Sequence, residues 1–117
     1  MGIILLVDDD PDFCLLLESI LDDKKFTVHS VYNLETARQK LIEIRPGIIL
    51  LDNHLPDGKG IDFLEQIFEF DPLIRVIMVS GETTPRLKLR ALEQGVTEFI
   101  PKPCSFKQIT DAVEAMR

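Results

Sequence analysis

No stretch of this chain approaches the roughly 20 consecutive apolar residues that a membrane-crossing helix needs. The longest runs, such as Ile3-Ile4-Leu5-Leu6-Val7 and Ile48-Ile49-Leu50-Leu51, stop after four or five residues. Met1-Gly2 offers no basic segment ahead of the first run, and Asp8-Asp9-Asp10 cuts that run off, so this stretch is not expected to be a secretion signal. Positive charge is in deficit: 13 Lys and Arg stand against 20 Asp and Glu, for a net charge of −7. Such a chain has no field for gripping a phosphodiester backbone, so neither nucleic acid nor membrane is an expected partner. Arg86, Lys88 and Arg90 do cluster, but alternate positions on a helix point to different sides and form no stripe. Cysteine is scarce. Cys14 and Cys104 are far apart, show no metal-ligand spacing, and read as reduced thiols of a cytosolic protein. The only histidines, His29 and His54, are likewise not spaced as zinc ligands. No repeat, low-complexity tract or linker divides the chain. With 45% hydrophobic and 28% charged residues it should form one globular domain with its own core.

What is present is a strict alternation of apolar runs and helical patterns. The expected strands are Ile3 to Val7, Phe26 to Val31, Ile48 to Leu51, Ile74 to Val79 and Thr97 to Ile100. Asp10-Pro11 opens a first helix, with Asp as N-cap and Pro at the first position. Its apolar residues Phe13, Leu16, Leu17, Ile20 and Leu21 follow the i, i+3, i+4, i+7, i+8 spacing of one helix face. Asn33 caps a second helix and Pro46-Gly47 stops it; the third carries Ile61, Leu64, Ile67 and Phe68. Thr84-Pro85 opens the fourth, whose apolar residues share no clean face. Ser105 opens the fifth, with Phe106, Ile109, Val113 and Met116 inward. Alternating strand and helix patterns imply βαβ units, right-handed crossovers and a parallel sheet.

In such a sheet the strand ends meet at one edge, where open α/β folds place their ligands. Four runs end on polar residues: Asp8-Asp9, Asp52, Ser80 and Lys102. Taken singly, each has an ordinary reading as a turn, a loop opener or a solvated lysine. Asp10 is accounted for as the helix cap. Together they make a site for a divalent cation and a phosphoryl group. Two carboxylates ~4 Å apart repel by about 4 kcal/mol at an effective dielectric near 20, so three gathered at one edge need a cation or a proton. All-oxygen ligation suits Mg²⁺. Asp52 is the candidate nucleophile, since a carboxylate can accept a phosphoryl group as an acyl phosphate. Lys102, pinned in Pro101-Lys102-Pro103, can neutralise carboxylate or phosphoryl oxygens. The Ser80 hydroxyl can bond the group, and Gly81 leaves room for it.

Asp8-Asp9, Asp52, Ser80 and Lys102-Pro103, in this order and spacing, resemble the receiver domain of two-component response regulators, the CheY-like superfamily. The resemblance covers the chain from Ile3 to the last helix, and Pro56 and Gly60 match the family's loop after the phosphoacceptor. It implies a flavodoxin-like, doubly wound (βα)5 sandwich with strand order 2-1-3-4-5. Residues 1–117 would be a single receiver with no output domain, not itself an enzyme, cut from a longer regulator or native as it stands. Asp52 would take phosphate from a sensor histidine kinase, a phosphotransfer protein or a small acyl phosphate. Asp9 and Asp52 would hold Mg²⁺ directly, Asp8 through water, and the backbone carbonyl of His54 would complete the ligands. Ser80 and the aromatic Phe99 would be the switch, repositioning the face formed by the fourth helix, fifth strand and fifth helix. That face would serve an output domain, a protein partner or a homodimer. Lys102-Pro103 would be cis. His54 and Glu82 flank the path of an attacking water and are expected to set the lifetime of the phosphoryl group. Two alternatives stand beside this reading. An aspartate-nucleophile phosphatase would need a second Asp two residues after the first, where His54 stands. A pseudo-receiver, a binding module without phosphorylation, would usually lack an acidic residue or the Lys, and none is missing.

Overall fold

The structure, a computed structural model, describes residues 2–116. The strands of the main sheet are β1 (Ile3–Val7), β2 (Thr27–Val31), β3 (Ile48–Leu51), β4 (Arg75–Ser80) and β5 (Glu98–Pro101). They run parallel in the spatial order β2-β1-β3-β4-β5, as the resemblance implies. The helices are α1 (Pro11–Asp23), α2 (Leu34–Ile44), α3 (Leu64–Phe70), α4 (Pro85–Glu93) and α5 (Phe106–Ala115). The turn-rich segment after β3 holds a short antiparallel ribbon, His54–Leu55 with Gly58–Lys59, then a 3-10 turn, Gly60–Phe63, that leads into α3.

Side chains alternate across a strand, and here the alternation sorts them into two cores. Leu5, Val7, Ile49, Leu51, Val76, Met78 and Phe99 face α2, α3 and α4. Ile4, Leu6, Ile48, Leu50, Ile77, Val79 and Ile100 face α1 and α5. This is why the central strands read as unbroken apolar runs: both faces are covered. Continuing the same period, Asp8 and Asp52 fall on the α1/α5 side and Ser80 on the α4 side.

The expected helix caps form. The side chains of Asp10, Asn33, Thr84 and Ser105 each accept from backbone N–H groups of the first turn, and Gln108 returns the bond to Ser105. Caps of this kind contribute about 1 kcal/mol each. Asp57, from the loop after β3, adds a second cap to α2, accepting from the N–H of Leu34 (2.8 Å) and Glu35 (3.0 Å). These bonds hold its carboxyl below the usual carboxylate range.

Three strand starts move by a residue, and β4 and β5 each end one residue later than expected, at Ser80 and Pro101. Phe26 and Ile74 are apolar and buried, but their N–H groups close preceding turns on Leu21 and Asp71, so β2 and β4 start one residue later; β5 likewise starts at Glu98, not Thr97. The inner face of α1 also differs from expectation. Leu16 is 55% exposed, and the buried line is Cys14, Leu17 and Leu21, with Phe13 and Ile20 at its margins. The α1 arc is centred on i, i+3, i+7 from Cys14, and Leu16 falls outside it. On α4 only Leu87 and Ala91 are buried, while Leu89 and Leu92 are exposed, which accounts for its weak pattern.

Gly60 is where the loop touches the site. Its N–H donates to the Asn53 carbonyl (2.8 Å), and a Cβ built there would lie 2.1 Å from the backbone oxygen of Asp52. Gly60→Ala should therefore push on the end of β3 and cost roughly 3 kcal/mol, as overpacking against immobile backbone does. Urea denaturation should show a lower midpoint at unchanged slope; an unchanged midpoint would mean the loop yields freely.

Candidate functional site

Backbone pairing brings the polar strand ends together. The N–H of Asp52 donates to the Val7 carbonyl (2.9 Å), and the N–H of Lys102 donates to the Ser80 carbonyl (2.8 Å). The carboxyl edge thus aligns β1 with β3 and β4 with β5. There the Lys102 Nζ donates to Asp8 Oδ2 at 2.8 Å and lies 3.5 Å from Asp52 Oδ2, across 94 residues of sequence in the first case. Asp8 and Asp52 are buried while Asp9 is exposed, and carboxylate oxygens of all three lie within 4.8 Å of one another. The Lys102-Pro103 bond is cis.

These carboxylates are not interchangeable. Asp8 is engaged on both oxygens, Oδ1 accepting from the N–H of Asp10 (3.0 Å) and Oδ2 from Lys102. Asp52 is raised above the ordinary Asp pKa, first by burial and next by the charge of Asp8; Lys102 and the N–H groups of His54 and Asn53 pull the other way. Burial alone would lower the Lys102 pKa, but the hydrogen bond and charge of Asp8, with Asp52 behind it, more than offset this and raise it. Oxygen donors at this spacing, two of them buried and mutually repelling, fit a hard divalent cation, with Asp9 on the open side. A Cys14 thiol donates to the Asp8 carbonyl (3.5 Å); burial, then Asp8, push that thiol up to about 12, so it packs and does not react. Cys104 is also a free thiol.

On the α4 side, Ser80 is fully buried and its Oγ accepts the N–H of Glu82 (3.0 Å). The Glu82 carboxylate is clamped by His54 Nε2 (2.9 Å), Asn53 Nδ2 (3.3 Å) and, more loosely, Lys59 Nζ (3.8 Å). His54 and Glu82, named from sequence as flanking residues, thus touch each other across the mouth of the site. His54 also belongs to the ribbon, its backbone paired with Lys59. Phe99 is buried in the cluster that holds Met78, Leu87, Ala91 and Val96. Arg86 and Arg90, one turn apart, both line a cavity of about 150 Å³ beside Glu82, and Lys88 does not.

Sequence reasoning passed over Asn53. It is fully buried, its Oδ1 accepting the Ile61 N–H (3.1 Å) while its Nδ2 holds Glu82, so it ties the loop to the site. An Asn after a strand reads as a turn residue, and nothing local marks it otherwise. Phe13 was taken only as a core residue, yet its ring lies 5.0 Å from the Lys102 Nζ and stacks on Phe106 at 5.7 Å.

A doubly wound sheet with an acidic cluster, a buried hydroxyl and a lysine at its carboxyl edge defines a phosphoacceptor class of α/β domain. A family model described as the response regulator receiver domain matches residues 4–114, and the chain belongs to that family: it is a phosphoaccepting receiver domain of two-component signal transduction. It is similar to the chemotaxis protein CheY of Listeria monocytogenes, 31% identical over 112 residues, covering 95% of this chain and 94% of that one. It is also similar to the response regulator protein PilR of Pseudomonas aeruginosa, 32% identical over 109 residues, 93% of this chain but 24% of that protein. Among solved structures, the non-phosphorylated HemR receiver domain from Leptospira biflexa superposes with a TM-score of 0.93 at 29% identity, covering 98% of this chain and 93% of that one. The chain spans about a quarter of the length of PilR and about half that of the Klebsiella pneumoniae regulator CitB. No helix among the described residues is long and apolar enough to cross a membrane.

Proposed function

We propose that Asp52 is the phosphoacceptor, that Asp8, Asp9 and Asp52 with the His54 carbonyl hold Mg²⁺, and that Lys102 and Ser80 bind the transferred group. The observation that carries this is the buried Asp52 carboxylate 3.5 Å from the Lys102 ammonium, with Asp8 and Asp9 oxygens within 4.8 Å. The donor is a phosphohistidine of a sensor kinase or phosphotransfer protein, or a small acyl phosphate, met in the cytoplasm. An Asp52 oxygen attacks phosphorus in line; the bond from phosphorus to the donor nitrogen or oxygen breaks, and the donor leaves with its electron pair. The transition state is loose, with charge spread over the phosphoryl oxygens. Lys102 follows that charge, exchanging its Asp8 partner for a phosphoryl oxygen. Mg²⁺, when bound, supplies further neutralisation at the same oxygens. The Ser80 hydroxyl proton is free to donate to the new group, and drawing Ser80 toward it breaks its bond with the Glu82 N–H. That loosening reaches Phe99 and α4, whose packing is thin, and shifts the population of the α4-β5-α5 face toward a form that binds an output domain, a protein partner or a second copy.

The phosphatase alternative gains nothing, since position 54 is His where a second Asp would be needed. The pseudo-receiver alternative predicts no labelling. With acetyl phosphate and MgCl₂, Phos-tag gels or intact mass should show one phosphoryl group on the wild type and none on Asp52→Asn; labelling retained in that variant would remove Asp52 from the role. Chasing the label should give an altered decay rate in His54→Ala and Glu82→Ala, and decay unchanged from wild type in both would deny these residues any part in the lifetime.

A further inference from the structure

The lysine at the site is held from a side that the phosphoryl chemistry does not explain. Its backbone is fixed between Pro101 and Pro103, but its four-carbon stem is free to rotate, and its side chain keeps 27% exposure. A loose ammonium would spend much of its time in water, away from Asp52. The ammonium also lies over the ring of Phe13, with Nζ 5.0 Å from its centroid, within the range at which a ring face attracts a cation. Phe13 does not stand alone: Phe106, from the first turn of α5, stacks on it with centroids 5.7 Å apart and planes 26° from parallel. Neither ring is fully buried, so core filling alone does not account for the pair. Asp8 holds the ammonium by charge and a 2.8 Å hydrogen bond, and the Phe13 ring lies beneath it.

We propose that Phe13 is a positioning residue for Lys102: its ring, braced by Phe106, holds the ammonium over the Asp52 carboxylate so that it is in place when a phosphoryl group arrives. The inference rests on Asp52 being the phosphoacceptor.

Phe13→Leu removes the ring and keeps apolar bulk; Phe13→Tyr keeps the ring, and its hydroxyl can reach solvent at this half-buried position. With acetyl phosphate and MgCl₂, Phe13→Leu should label roughly three- to ten-fold more slowly than wild type, the range expected for losing a part-exposed cation–ring contact. Phe13→Tyr should stay within about two-fold of wild type by the same reasoning. NMR supplies the readout that a merely structural role would not move. The Lys102 ε-methylene protons should be displaced upfield by the ring in wild type and Phe13→Tyr, and should return to the free-lysine position in Phe13→Leu. Equal labelling rates in wild type and Phe13→Leu, or lysine shifts that do not respond to the ring, would overturn the inference and leave the phosphoacceptor reading standing. A wild type that takes no label would overturn both. If Phe13→Leu fails to fold, Phe106→Leu tests the brace: it should move the Lys102 shifts part-way and slow labelling less, and no change in either would count against the proposal.

Discussion

Lys102→Met should destabilise the protein by about 2–4 kcal/mol in the absence of metal and slow phosphoryl transfer by roughly 100-fold. Methionine keeps an unbranched apolar stem, so what is lost is chiefly the charge. Asp8 and Asp52, at 2% and 7% exposure, then face each other with no cation between them. Breaking a buried ion pair by removing one partner typically costs about 3–5 kcal/mol, because the remaining charge is stranded; the open side of Lys102 lets water in and reduces this. Two controls separate charge from packing. In an Asp8→Asn background the same substitution should cost much less, since one of the stranded charges is gone. Mg²⁺ should stabilise Lys102→Met more than it stabilises wild type. Urea denaturation of the four proteins of that cycle, with and without MgCl₂, measures both. Additive losses would show that the lysine acts through packing.

The parts of this site that a sequence exposes are those fixed by local period. The runs ending in Asp8, Asp52, Ser80 and Lys102 are legible because central strands are apolar on both faces and the first polar residue marks the edge. The caps at Asp10, Asn33, Thr84 and Ser105 are legible because a helix start needs an acceptor for its free N–H groups. The strand order is not legible in that sense: right-handed crossovers narrow the topologies, and the family resemblance supplied the order. What escaped are contacts made across the chain by residues with an ordinary local reading. Asp57 looks like a turn residue and caps α2; Asn53 looks like a turn residue and braces Glu82. Leu16 and Cys14 exchanged roles because a run of leucines blurs which arc faces inward, and only packing against α5 and β2 decides it. Phe13 and Lys102 are 89 positions apart (102 minus 13), and no spacing rule joins an α1 ring to a lysine after β5.

Asp52→Asn should make the metal-free protein more stable at neutral pH, while abolishing phosphorylation. Asparagine is isosteric and its Oδ1 can still accept the N–H groups of Asn53 and His54 that now bond the carboxylate. What it removes is an ionised group raised above the ordinary Asp pKa by burial first and by the Asp8 charge second. The sign follows from linkage. A carboxyl whose folded pKa exceeds its unfolded value of 3.8 binds more protons folded than unfolded just above that pH. Stability therefore falls as pH rises through this window, and the cost of ionised Asp52 is fully present above its folded pKa. The advantage of Asp52→Asn over wild type should be small below pH 3.8, grow through the window above it, and level off once pH passes the folded pKa. Taking the difference between the two proteins cancels the other carboxylates, which titrate in both. Mg²⁺ should act in the opposite sense. At 100-fold over its dissociation constant a ligand of the native state adds about 2.7 kcal/mol, and wild type should gain this while Asp52→Asn gains less. The two curves should then approach or cross. Urea midpoints over a pH series, with and without MgCl₂, decide it: a variant no more stable than wild type at neutral pH without metal would mean that Lys102 already neutralises Asp52 in full. The same strain gives the site its drive. An acidic pocket that stores repulsion in its resting state binds most tightly the ligand combination that relieves it, a cation together with a phosphoryl group on the carboxylate that is hardest to keep charged.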